Sequence, residues 1–176
     1  MLNGLAKLKD DGQMSIIQNG SSLFNGDAGS GPSEIRRYLI ENDWLDAIVQ
    51  LPNNAFYNTS IATYIWIVVK NKPATHQGKV QLIDASACCS ARRKNIGSKN
   101  VDITKACRDL IIEAYGAYVD GTYNGVDEND NAIIVKSKVM DAIDLGYNKI
   151  VVETPQLDED GNVVMKKKKP VADTSK

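Results

Sequence analysis

Histidine is nearly absent from this sequence, cysteine is scarce, and no apolar run is long enough to cross a bilayer. Each shortage excludes something. The single histidine, His76, lies in "KNKPATHQGK", a stretch with the composition of an exposed turn. A histidine-centred triad or metal cluster needs that ring buried beside partners, so neither is expected. Of the three cysteines, Cys88 and Cys89 are neighbours and Cys107 is remote. With no Cys-x-x-Cys spacing, neither a disulfide framework nor a zinc site is suggested. A spanning helix needs about 20 apolar residues, and the opening "MLNGLAKLKDDG" lacks the basic and apolar blocks of a secretion signal. No membrane association and a cytoplasmic location are therefore expected. The formal net charge is −1, so no global field draws the chain to nucleic acid. Any such contact must be a local patch.

What is present suits one sizeable core, or part of a larger domain. "GQMSIIQNG", Gly12 to Gly20, reads as a short strand closed by an Asn-Gly turn. The glycine-rich "SSLFNGDAGSG" reads as a loop. "PSEIRRYLIEN" reads as a helix, with Pro32 at its first turn, Glu34 at its positive end, and Ile35, Tyr38 and Leu39 on one face. "WLDAIVQLP", Trp44 to Pro52, returns to a strand. Strand, helix and strand in this length make a right-handed crossover, so the two strands should be parallel.

"IATYIWIVV", Ile61 to Val69, follows Pro52 too closely for a parallel return and should run antiparallel. It is apolar at nearly every position, so both of its faces should be covered. The arrangement that satisfies both puts it between the two parallel strands. "GKVQLIDAS", Gly78 to Ser86, is a further strand, followed by the basic loop "ARRKNIGSKN". Thr104 is a plausible N-cap for a helix with Cys107, Leu110, Ile111, Ala114 and Tyr118 on one face. "VDGTYNGVDENDN" is acidic and turn-rich, and Lys149 to Glu153 reads as a closing strand. The chain divides into residues 1–155 and a polar tail or linker, 156–176, that includes Lys166 to Lys169.

Three stretches invite a functional reading. "NNAFYNTSI" places a Phe-Tyr pair on a polar loop just before the most apolar strand, where the rings either plug the core or touch something. "GDAGSGPSE", Gly26 to Glu34, looks like a phosphate cradle but lacks the third glycine of a dinucleotide fingerprint and the Gly-Lys-Ser/Thr of a P-loop. A nucleotide-binding protein is disfavoured on that ground, although the helix start still suits a DNA phosphate. Arg92, Arg93, Lys94 and Lys99 form a basic loop that suits phosphate contact, or a solvated surface.

The continuous stretch from "NGSSLFNGDAGSGPSEIRRYLIENDWLDAIVQLPNNAFYNTSIATYIWIVVKNK" through "GKVQLIDAS", "RRKNIGSKN", "YGAY" and "LGYNKIVVETP" resembles the C-terminal half of the methyltransferase domain in the modification (M) subunit of type I restriction–modification systems. These are N6-adenine DNA methyltransferases that use S-adenosylmethionine. The resemblance implies an α/β fold: the C-terminal part of a Rossmann-like methyltransferase sheet, mixed, with one antiparallel strand inserted near the edge. It also implies DNA as a partner, together with a specificity (S) subunit and a restriction (R) subunit.

The departure from the family pattern matters as much. Its cofactor glycine motif and its Asn/Asp-Pro-Pro-Tyr/Phe motif do not occur here, since no two prolines are neighbours. The resemblance therefore implies that the S-adenosylmethionine site lies mostly upstream of this chain, and that the chain is by itself inactive. A non-catalytic half-domain acting as an interaction module explains the missing motifs equally well. In the family an aromatic just before the antiparallel strand stacks on the flipped adenine. Phe56 matches that position, with Tyr57 the second candidate and Asn58 and Thr59 suited to hydrogen-bond the nucleotide. Arg92, Arg93 and Lys94 are the DNA-backbone candidates.

Overall fold

The structure is a computed structural model that describes residues 1–150, 152–167 and 169–173. A short helix α1 (Leu2–Lys7) leads into strand β1 (Gln13–Asn19), one turn of helix α2 (Ser21–Phe24), helix α3 (Gly31–Glu41) and strand β2 (Leu45–Gln50). Strands β3 (Thr63–Val69) and β4 (Lys79–Asp84) follow, then β5 (Ser90–Ile96), β6 (Lys99–Asp102) and helix α4 (Lys105–Ala117). β7 (Gly121–Val126) and β8 (Ala132–Asp141) complete the main sheet, and a 3-10 turn spans Ala142–Leu145. The short strands β9 (Met165–Lys166) and β10 (Lys169–Pro170) pair with each other.

The main sheet has the order β1-β3-β2-β4-β8-β7. β3 pairs antiparallel with both β1 and β2. It therefore sits between two strands of common direction, where its unbroken apolar run has cover on both faces. β2 and β4 are parallel. β8 is antiparallel to β4 and to β7, which adds a second reversed strand to the sheet.

The core lies on both sides of this sheet. On one face Leu39 of α3 and Leu5 of α1 meet Leu45, Trp66, Val68 and Val80. On the other, Cys107, Leu110 and Ala114 of α4 meet Val49, Ile83, Ile133 and Val135. Each fully buried Val, Leu or Ile contributes about 1.5–3 kcal/mol, so the strands are fixed where these rows interlock. Leu39 is the buried residue of α3, whereas Tyr38 turns outward and meets the edge of Trp44 with ring centroids 5.3 Å apart.

Three expectations are corrected. His76 is not a free surface residue. Its ring stacks on Tyr118 at 3.5 Å, and its Nδ1 lies 3.0 Å from Oδ1 of Asp46, a carboxylate that is 1% exposed. Asp46 falls where the pairing of β2 with β3 slips between Leu45 and Ala47, and such a bulge re-aims a side chain. The stretch Arg92–Lys99 is not a loop but the arms and turn of the β5–β6 hairpin. Lys149, Ile150, Val152 and Glu153 belong to no strand, and Val151 lies outside the described residues. Ile150 and Val152 are exposed there. The closing strand of the sheet is β8, whose inward Ile133, Val135 and Ser137 alternate with outward lysines.

The chain divides after Gly146. The second unit, Tyr147–Lys176, contains β9 and β10 with the isolated bridges Pro155–Ala172 and Leu157–Val163. The basic run Lys166–Lys169 falls in it, with Lys168 outside the described residues.

Candidate nucleic-acid interface

Connections leaving the ends of the parallel strands β1, β2 and β4 open toward one edge of the sheet. In open α/β sheets ligands bind at that carboxyl edge. After β2 the chain makes the loop 51–62, closed at its neck by a 2.9 Å hydrogen bond from the Leu51 amide to the Thr63 carbonyl. Ala55, 5% exposed, anchors its middle. Asn54 and Asn58 flank the aromatic pair with φ of 57° and 54°. Asparagine tolerates this left-handed region better than most residues, which permits the sharp course of the loop.

The two aromatic rings divide. Phe56 is half-buried against the α4-side core, and Tyr57 is 64% exposed. Of the pair, one ring packs on the core and the other lies at the surface.

The β5–β6 hairpin lies against this loop. The Asn100 amide donates to the Asn54 carbonyl at 3.3 Å, and Lys99 Nζ donates to the Ala55 carbonyl at 3.0 Å. At the hairpin turn Gly97 has φ +58°, a region that favours glycine. A Cβ there would lie 2.6 Å from Asn58 Oδ1 and 3.0 Å from the Tyr57 ring. Any side chain at this position would have to displace those two groups.

The basic residues are not equivalent. Arg92 Nη1 donates to both carboxylate oxygens of Asp102, at 2.6 and 2.5 Å, and Lys99 lies 3.0 Å from the same group. The Arg92 guanidinium, and after it Lys99, hold the Asp102 carboxyl below its ordinary range. Arg92 and Lys99 thus brace the hairpin, while Arg93 and Lys94 are exposed and, among the described residues, have no ion-pair partner. The structure brings Phe56, Tyr57 and Asn58 together with the hairpin that carries Arg92, Arg93 and Lys94. Sequence reading passed over Gly97. Its signal was Ile96-Gly97-Ser98-Lys99, a two-residue glycine turn between short runs of strand character.

The glycine loop offers no cradle. The space at Gly26 is filled by the Ser30 hydroxyl and Pro32, and Gly29 and Gly31 face open space. A groove of about 500 Å³ lies over the α3-side face, floored by Ile48, Tyr64 and Leu82. The Asp84 carboxylate at its rim already accepts from Ser86, which with Lys136 holds it below its usual range. Among the described residues no group of His, Cys, Asp and Glu side chains is placed to hold a metal ion, and no helix is long and apolar enough to cross a membrane.

Known proteins resemble this chain in sequence and in fold. The MjaIX methylase subunit of a type I restriction enzyme from Methanocaldococcus jannaschii is 40% identical over 81 residues, 44% of this chain and 14% of the relative. The MjaVII methylase subunit from the same organism is 33% identical over 95 residues, 51% of this chain and 16% of the relative. The crystal structure of the methyltransferase subunit of a type I restriction–modification system from Streptococcus thermophilus superposes with a TM-score of 0.62 at 29% identity, over 80% of this chain and 25% of that one. The matched segments thus span 14–16% of the length of these curated relatives. Residues 1–155 match the family model of the N-6 DNA methylases, and with the fold and the relatives in agreement, this chain belongs to that family.

Proposed function

We propose that this chain forms the side of an adenine-N6 DNA methyltransferase that holds the target base and the DNA backbone, within the modification subunit of a type I restriction–modification complex. The observation that carries this reading is the docking of a basic hairpin on an aromatic loop at the carboxyl edge of the sheet. The amino group of adenine is reachable for methyl transfer only when the base leaves the duplex. A base out of the stack regains roughly 1–3 kcal/mol on an aromatic ring. Phe56 and Tyr57 supply rings on a loop that the sheet holds in place, and Asn58 supplies an amide beside them. Arg93 and Lys94 supply charge for phosphates, which positions DNA without reading its sequence. Arg92 serves the interface by tying the two arms of the hairpin together through Asp102.

In this family's reaction S-adenosylmethionine supplies the methyl group, and the residues of this chain do not fit it. Gly26 is backed by its own loop, and the groove over the sheet is floored by apolar side chains. Residues other than these would hold the cofactor, so the chain alone should transfer no methyl group. In the assembled system a specificity subunit would choose the DNA site and a restriction subunit would cleave.

The test is fluorescence anisotropy of a labelled duplex carrying one mismatched adenine, titrated with the chain across a salt series. Binding that weakens steeply with salt supports the reading. No binding at low salt overturns it and favours a non-catalytic interaction module. Transfer of tritium from labelled S-adenosylmethionine to unmethylated DNA by the chain alone would overturn the assignment of the cofactor to other residues.

A further inference from the structure

Resting on that reading, we infer that Gly97 is a positioning residue: the turn of the β5–β6 hairpin sets the Tyr57 ring, so that phosphate contact and base contact form one mechanical unit. Tyr57 rather than Phe56 is then the ring that a base meets first.

Four observations lead here. Phe56 has one side committed to the core, whereas Tyr57 is exposed. One edge of the Tyr57 ring lies beside Gly97, with its Cε2 and Cδ2 3.0 and 3.3 Å from where a Cβ would sit. Loop and hairpin are cross-tied by the Lys99–Ala55 and Asn100–Asn54 hydrogen bonds, so neither moves alone. Arg93 and Lys94 stand on the first arm of the same hairpin, whose root is fixed by the Arg92–Asp102 pair.

The consequence is geometric. A strand whose phosphates lie on Arg93 and Lys94 has its bases presented at a distance set by the hairpin, and the ring that receives them rests on the hairpin turn. An exposed tyrosine on a free loop would have to be ordered at each encounter. Seated on Gly97, it is ordered beforehand, which lowers the cost of binding.

The experiment uses the whole chain and a single-stranded oligonucleotide with 2-aminopurine at one adenine position. Affinity is read by anisotropy across a salt series, and stacking is read separately by quenching of 2-aminopurine. Gly97→Asn keeps a residue that tolerates the left-handed turn but introduces a Cβ against Asn58 and Tyr57. It should lose most of the quenching while the salt slope stays unchanged. Tyr57→Ala, at an exposed site that leaves folding intact, should lose the same quenching and roughly tenfold in affinity. Arg93→Ala with Lys94→Ala should lower the salt slope by about 1.4, at about 0.7 per phosphate contact on a single strand.

Full quenching in Gly97→Asn, with a far-ultraviolet spectrum and thermal midpoint like the wild type, would overturn the positioning role. Quenching lost in Phe56→Ala and kept in Tyr57→Ala would overturn the choice of ring. In both cases DNA binding itself survives, so the reading on which the inference rests survives with it. Absence of binding by the wild-type chain overturns both.

Discussion

The Tyr115 hydroxyl donates to Oδ2 of Asp46 at 2.6 Å, and this bond ties helix α4 to the amino end of strand β2. The other oxygen of the same buried carboxylate meets His76 at 3.0 Å. Tyr118 closes the cluster from the end of α4, with its hydroxyl shared between the carbonyls of Asp46 at 3.2 Å and Lys79 at 3.3 Å. Its φ of 50° is uncommon for a side chain of this size. The stack on His76 and the two carbonyls hold it there.

Tyr115→Phe removes one donor from a carboxylate that stays buried. The expected loss of stability is roughly 1–3 kcal/mol, read from urea denaturation. Combined with His76→Ala, the loss should differ from the sum of the single losses, because both side chains serve one carboxylate.

Alkali should destabilise the chain. Burial first, then the neighbouring Cys107, pushes the Cys88 thiol up to about 12, against about 8.5 for an unfolded cysteine. Between those values the folded chain keeps a proton that the unfolded chain has released. The contribution is fully present below about pH 8.5 and falls as pH rises toward 12. Tyr115 and Tyr118 are raised as well, by burial first and then by Asp46. They steepen the decline above about pH 10. In chemical denaturation from pH 7 to 11, Cys88→Ala should show a flatter profile between about pH 8.5 and 10 than the wild type.

Acid acts through a different set. The nearby Ser90 side chain, and hydrogen bonds from the Asn131 and Asn129 amides, hold Asp127 far below the usual carboxylate range in the β7–β8 turn. Asp102 is lowered by Arg92 and Lys99. A depressed carboxylate adds stability that is present above its unfolded value of about 3.9 and disappears as pH falls through the folded one. Asp127→Ala should lose the steepest part of the acid transition below about pH 4 and lower stability at neutral pH. A series of urea midpoints from pH 2 to 7 measures both.

β1 has a paired neighbour on one side, β3, and forms an edge of the sheet. Ile17 on that strand is 51% exposed. A strand with one open edge and an exposed isoleucine is a template for pairing with another chain. The wild-type chain should self-associate with rising concentration in sedimentation velocity, and Ile17→Lys should shift it toward monomer. Equal association by both would place the contact elsewhere.

How much of this was legible depended on how local each signal was. The nearly unbroken apolar run of Ile61–Val69 marked a strand covered on both faces, and the short Pro52–Ile61 link forced it antiparallel, so its place between β1 and β2 followed. β8 was passed over because its charged residues drew attention from its alternation. Lys136 and Lys138 point outward while Ile133, Val135 and Ser137 point in. His76 was misread because its partner, Asp46, is 30 residues away. A turn-like composition says nothing of a contact at that range. At the candidate interface the residue types were visible, and the sorting of Arg92 as a brace from Arg93 and Lys94 as free cations was not, because Asp102 lies on the opposite arm of the hairpin.

The two ends of the sheet are held in different ways. At the amino end, Lys72 Nζ bridges Asp43 at 2.6 Å and the Lys79 carbonyl at 2.7 Å, and the Gly78 amide donates to Asp43 at 2.9 Å, beside the Asp46 cluster. At the carboxyl end, an aromatic loop and a hairpin lean on each other through a few bonds. The fold is thus riveted at one end and latched at the other. Amide hydrogens near Asp46 should exchange among the slowest, and opening of the latch should expose the Asn100 amide of the hairpin and the Leu51 amide at the neck of the loop together.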